Sequence, residues 1–272
     1  MSDSNNKVYR KYNKVYRKYI NGIYGQMHLR VSEGIVNQFR PIMCIHLSPL
    51  SGIIYENFLE HISKKRTAIA PDTPGYGMSD SPPNPPRIDD YANAMFGLIE
   101  NLNFSEIDII GYGTGSKIAF QMGLIKPEQI KHVILISAPD YTSEEIKLMN
   151  EKLGRVIEPK GDGSHLIRLW EQVKSFPENN QRMKVFPDHI RAGKRKPWGP
   201  KAAFSYSYKD KLNEFEPKLF VLNINNEITI PTRRLSKFLN KNKYLERLDW
   251  QHGFLDIYGE EFSKIVSQFT NC

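Results

Sequence analysis

Continuous apolar runs of a strand's length alternate along this chain with stretches whose apolar residues recur every three or four positions. That is the pattern of strands buried on both faces interleaved with amphipathic helices. Ile23–Val31 and Pro41–Leu47 read as strands, Ile53–Ile62 as a helix and Thr67–Ala70 as a further strand. Ile88–Leu102 reads as a helix, opened by two aspartates that suit the positive end of its dipole. An apolar strand over 107–112 leads through small residues into a helical pattern, and Lys131–Ser137 is another buried strand. From Asp140 to about Pro217 the strand signals vanish, and helical fragments are separated by Gly161-Asp162-Gly163, Pro177, Pro187 and Pro197-Trp198-Gly199-Pro200. Alternation returns with strand Lys218–Ile224, a helix near Pro231, strand Tyr244–Trp250 and an amphipathic helix over Ile257–Phe269. The pattern predicts an α/β fold: a doubly wound, mostly parallel sheet formed by 21–139 and 217–272, with a helical cap inserted at 140–216.

The sharpest feature is Gly111-Tyr112-Gly113-Thr114-Gly115, where the strand over 107–112 turns into its helix. Small residues two before and two after an apex let one side chain project above a parallel sheet. Where such an elbow calls for a Ser, Cys or Asp nucleophile, the apex here is Gly113, and the nucleophile position is vacant.

Composition narrows the setting. With 272 residues, 40% hydrophobic and 25% charged, the chain can bury a large core. No apolar stretch approaches the roughly 20 residues that span a bilayer, and the polar, basic N-terminus points to neither export nor anchoring, so the expected location is the cytoplasm. Two cysteines make no disulfide framework. The net charge of +8 is concentrated in residues 1–20, with six Lys/Arg against one Asp, and in 141–213, with fifteen against nine Asp/Glu; the remainder is net negative. The first twenty residues duplicate Asn-Lys-Val-Tyr-Arg-Lys-Tyr, and a helix there would align Val8, Tyr12, Val15 and Tyr19. Two short repeats are too few to define a surface for nucleic acid, so 1–20 reads as a solvated basic arm.

From about Ile23 onward the chain resembles the α/β-hydrolase fold family. The strand ending at His46 is similar to the family's oxyanion loop, Ala70–Asp80 to the structural loop after the next strand, and Gly111–Gly115 to the nucleophile elbow. Glu227 and His252 stand where the family carries its acid and its base. The resemblance implies that His252 acts as base, held in one tautomer by Glu227, and that the backbone N–H groups of Ser48 and Thr114 form the oxyanion hole. Leu47 departs from the family, in which the oxyanion-loop His is usually followed by Gly, and Gly113 departs further. Losing the nucleophile removes the covalent route. Tyr112 flanks the apex, either packing there or meeting the substrate, and Asp72 and Asp80 tie down a turn. In the cap, Ser164 opens a helix that brings His165, Arg168 and Trp170 close together. This is either a lid whose Arg168 binds a carboxylate or phosphate, or a solvated basic helix with Trp170 in the cap's own core.

Gly111-x-Gly113 imitates a dinucleotide fingerprint, but Ser116 stands where close helix packing needs Gly or Ala, and about a hundred ordered residues precede it. No cofactor and no metal are expected. The sequence therefore points to a cofactor-independent hydrolase or lyase that uses His252 and Glu227 for water activation or proton abstraction on a small, anionic or neutral, carbonyl substrate. Two other readings share the features: a binding protein that kept the pocket and lost catalysis, and a serine hydrolase whose nucleophile was changed to Gly.

Overall fold

The computed structural model describes residues 15–34, 38–153, 156–239 and 243–271. In chain order the elements are β1 (Tyr16–Gly22), β2 (Gly25–Ser32), β3 (Ile42–Ile45), α1 (Glu56–Ile62), β4 (Ala68–Pro71), α2 (Ile88–Asn101), β5 (Ile107–Tyr112), α3 (Thr114–Ile125) and β6 (Ile130–Ile136). The helices α4 (Ser143–Leu153), α5 (Ser164–Gln172), α6 (Asn179–Ala192) and α7 (Trp198–Phe204) come next. The chain closes with β7 (Lys218–Ile224), α8 (Thr229–Leu235), β8 (Tyr244–Arg247), α9 (Phe254–Ile257) and α10 (Gly259–Thr270). The strands form one sheet in the order β1-β2-β4-β3-β5-β6-β7-β8. Only β2 runs against the rest, and it makes the two antiparallel pairings, with β1 and with β4, so the sheet is mostly parallel.

Alternating side chains of each central strand feed two separate cores. Met43, Ile45, Ile107, Ile109, Val133 and Leu135 pack with α2 and α3. Ile42, Cys44, Ile110, Ile134 and Ile136 pack with Phe58 and Leu59 of α1 and Phe262 and Val266 of α10. Burial on both faces is why these strands read as unbroken apolar runs. From β3 the chain moves outward to β4 and then crosses back to β5 on the other side, so β3 and β5 flank the point where the winding reverses. Ligands of such sheets bind beyond the carboxyl ends of the strands at this switch point. The loops after β3, β5, β7 and β8 all leave that edge, and they carry Leu47, Gly113, Glu227 and His252 respectively.

Two expectations change near the N-terminus. Residues 16–20, assigned above to the arm, belong to edge strand β1, while Val8 and Tyr12 lie outside the described residues. Tyr16 and Ile20 share one face of that strand and pack against the core, which favours extended over helical winding there. Ile23 and Tyr24, expected to start a strand, form the two-residue turn between β1 and β2, and Gly25 beyond it takes φ +115°. Between β6 and β7 the described residues form helices and turns without a strand. Among the described residues no helix is long and apolar enough to cross a membrane.

The loop after β4 is held by the buried Asp72. Its carboxylate accepts from the N–H groups of Gly52 (2.8 Å) and Met78 (2.9 Å), and it contacts His28 Nδ1 (2.9 Å) and Arg30 (3.4 Å). Burial alone would raise this carboxyl; the bond to His28 and the surrounding positive charge and N–H groups outweigh burial and hold it below its ordinary value. Asp72→Ala strands these partners, and we expect a loss of about 3–5 kcal/mol, the usual cost of breaking a buried charged pair, read by urea denaturation. Because the folded-state pKa is depressed, this stabilisation is present above the ordinary carboxylate range and is lost as pH falls through the lower value. The difference in stability between wild type and Asp72→Ala should therefore shrink on acidification; a gap that stays constant to strongly acid pH would contradict the assignment.

Candidate active site

At the elbow, Gly113 takes φ 56° and ψ −113°, a left-handed conformation that costs glycine no steric strain. Thr114 follows as the first residue of α3, in the turn whose N–H groups have no acceptor within the helix. Gly115 is required for a different reason: a Cβ there would run into the carbonyl oxygen of Ile45, across the β3–β5 pairing. The space above Gly113 is closed. A Cβ built at 113 would lie 2.9 Å from Cβ of Leu47, closer than such atoms pack, so the position left by the missing side chain is filled by Leu47. Leu47 is fixed through His46, which is buried and neutral because burial pushes its pKa down. His46 accepts from the Thr73 N–H at Nε2 (2.9 Å) and donates from Nδ1 to the Leu47 carbonyl (3.0 Å).

His252 is buried, with Phe176 and Tyr112 against its ring at 5.4 and 6.0 Å between centroids. Its Nε2 lies 2.9 Å from Oε2 of Glu227, and its Nδ1 lies 2.8 Å from the Tyr112 hydroxyl. Partial burial pushes the Glu227 carboxyl up, but the His252 hydrogen bond and charge bring it below its ordinary value, so it is ionised and can only accept. Nε2 therefore donates to Glu227, and in the tautomer that this contact selects Nδ1 accepts from the Tyr112 hydroxyl. Burial, then the Glu227 charge, raise the Tyr112 pKa far above its usual value and keep the phenol protonated. The result is a chain of three groups, Tyr112 to His252 to Glu227, with each hydrogen bond running toward the carboxylate.

A cavity of about 540 Å³ lies beside this chain, and its walls are mainly apolar. Leu47, Ser48, Tyr141, Phe176, Glu227 and His252 line it, together with His189 and Lys196 from the cap. The expected site thus divides. His252, Glu227 and Ser48 line the cavity, and Tyr112, Gly113 and Thr114 adjoin them at the switch point without lining it, whereas His165, Arg168 and Trp170 lie apart on α5. Arg168 is exposed, His165 accepts from the Lys160 N–H (3.1 Å), and Trp170 packs edge-on against Phe186 at 5.2 Å. The helix α5 buries only Leu169, and its polar face takes Arg168 into solvent. Sequence reasoning missed Leu47 as a plug, the hydroxyl of Tyr112 as a partner of His252, and the cap pair His189 and Lys196. Only Leu47 left a signal, as a bulky residue where the family usually has Gly.

A family model described as the alpha/beta hydrolase fold matches residues 40–156. An uncharacterised protein of Mycobacterium tuberculosis is 32% identical over 83 residues, which span 30% of this chain and only 24% of that protein. A poly(3-hydroxyalkanoate) depolymerase of Ectopseudomonas oleovorans is 24% identical over 243 residues, covering 82% of this chain and 84% of its own. Among solved structures, the enol-lactonase from Burkholderia xenovorans superposes with a TM-score of 0.76 at 16% identity, over 94% of this chain and 100% of that one. Strand order, the reversal between β3 and β5, the glycine-flanked elbow and these likenesses converge: the chain has the α/β-hydrolase fold.

Proposed function

We propose that this protein is an enzyme of the hydrolase or lyase type that acts on a small carbonyl compound by proton transfer, without an acyl-enzyme. The observation that carries the reading is the Tyr112–His252–Glu227 hydrogen-bond chain beside the cavity, since an ordered, charge-backed imidazole is the equipment of a general base. In this reading Tyr112 takes a proton from water or from an acidic substrate C–H or O–H as its own proton passes to Nδ1 of His252. The imidazolium so formed is stabilised by Glu227. In hydrolysis the water oxygen adds to the carbonyl carbon, and the proton returns by the same path to the leaving group. In a lyase step the electron pair left by the proton expels the leaving group instead. The N–H groups of Ser48 and Thr114 are the proposed donors to the developing oxyanion. The scheme needs no cofactor, and the small-molecule substrate is the only partner it requires.

Leu47 favours a second reading, a binding protein without catalysis, because it occupies the space in which a nucleophile would act. The same contact supports a site adapted to glycine rather than a serine hydrolase stripped of its nucleophile.

Against a panel of small esters, lactones and 1,3-dicarbonyls, His252→Ala is expected to lower kcat by about 10²–10⁴-fold, the span of general-base catalysis. Tyr112→Phe should fall by a similar factor. Unchanged rates in His252→Ala would overturn the catalytic reading, and saturable binding of panel compounds without turnover would establish the binder. Separately, Gly113→Ser should cost about 1–3 kcal/mol of stability through overpacking against Leu47 and the positive φ that a side chain must adopt there, and adding Leu47→Gly, which removes the Cβ in contact, should recover only the overpacking part. Thermal or urea denaturation reads both variants; a single Gly113→Ser variant as stable as wild type would show that Leu47 does not fill the site.

A further inference from the structure

Three consecutive cations of the cap, Lys194, Arg195 and Lys196, meet different fates. Lys194 is exposed, and Arg195 donates to the Gly75 carbonyl (3.1 Å). Lys196 is 93% buried in a residue that lines the large cavity, and its Nζ is shielded from solvent with no hydrogen-bond partner. His189, on the same cavity wall, is equally buried and has an unpartnered Nδ1. An ammonium hidden from water without an acceptor is costly, and a long, flexible lysine normally relieves that cost by reaching for solvent. The turn that carries this one is pinned. The Tyr76 hydroxyl donates to the carbonyls of Arg195 (3.2 Å) and Lys196 (3.3 Å) and accepts from the Gly199 N–H (2.6 Å).

We propose that Lys196, with His189 beside it, is the anion-binding subsite of the cavity, and that the molecule the cavity accepts carries a carboxylate on an apolar body. One ammonium and one neutral imidazole match the single charge and two oxygens of a carboxylate. A phosphate dianion would bring a second negative charge toward Glu227 and Glu145, which line the same cavity. Burial pushes the Lys196 ammonium down to about 8 and, together with the Lys196 charge, the His189 imidazole down to about 3, so the pair presents one cation at neutral pH. The apolar wall, with Leu50, Leu148, Met149, Leu153 and Ile230, suits a hydrocarbon body rather than a polar one. The inference rests on the reading above that this cavity is the substrate site.

The test is a binding measurement that needs no turnover: isothermal titration of the full chain with n-octanoate and with octanamide, which has the same body and no charge. Wild type should bind octanoate about tenfold or more tightly over the amide, the worth of one charge-assisted contact. Lys196→Met should abolish that preference while retaining amide affinity, and Lys196→Arg should keep it. Equal affinities in wild type, or a preference that survives in a folded Lys196→Met, would overturn the proposal, as would failure of wild type to bind octanoate at millimolar concentration. If Lys196→Met does not fold, the wild-type comparison still decides. The preference is read without turnover, so a failed catalytic reading (unchanged rates in His252→Ala) and a failed anion subsite (equal affinities of wild type for octanoate and octanamide) give different results.

Discussion

The parallel pairing of β3 with β5 fixes which side chains can occupy the space above the elbow. Cys44 lies opposite Ile110 and Ile45 opposite Gly111 in that register, so the loops that leave the two strands must run side by side. Gly115 lets the elbow helix approach the Ile45 carbonyl, and Leu47, two residues beyond Ile45, is thereby carried over Gly113. Given that register, a side chain at 47 and a side chain at 113 compete for one volume. In this chain Leu47 holds it, and the proposed route without a nucleophile at 113 follows from that occupancy.

With no hydroxyl available at the elbow apex, the histidine at the end of β8 finds its hydroxyl one residue earlier, on Tyr112. The ring is turned so that Nε2 faces Glu227 and Nδ1 faces the phenol. Because the Tyr112 phenol is held firmly protonated, a discrete phenolate is disfavoured and the proposed transfer has to be concerted with the movement of the second proton onto His252. The cap closes the site from above through contacts to the core. Ser51 donates to Asp188 (2.7 Å), and the buried Lys117 donates to the carbonyl of Tyr206 (2.9 Å). Tyr76 holds the turn that presents Lys196. The loop after β4, organised by Asp72, therefore supports both Gly52, in the segment that follows β3, and the turn that presents Lys196.

Much of this was legible in the residues alone. The parallel strands announced themselves because both of their faces are buried, and the elbow because tight backbone approach demands small residues. The pairing of Glu227 with His252 was implied by the resemblance to the α/β-hydrolase fold family, and the two residues lie in loops that leave the same sheet edge. What was not legible depends on side-chain direction and depth. Nothing local distinguishes Lys196 from Lys194, since the fate of each is set by how the cap turn meets Tyr76, more than a hundred residues away. Arg168 and Trp170 share a helix, but only tertiary packing decides that its buried face points at Phe186 and its basic face at water. At the N-terminus, Ile23 is an apolar residue in a hairpin turn, 56% exposed, and an apolar turn hides a strand boundary that polar residues would have marked.

The central claim is that Nδ1 of His252 is the basic nitrogen and Tyr112 the group it faces. Two-bond ¹⁵N–¹H correlation spectra of the imidazoles, with His252→Ala used for assignment, test it without any substrate. The account expects the Nε2–H tautomer at neutral pH, with an Nδ1 shift that moves when Tyr112 is replaced by Phe. A His252 that carries its proton on Nδ1, or an Nδ1 shift indifferent to the Tyr112 hydroxyl, would contradict it.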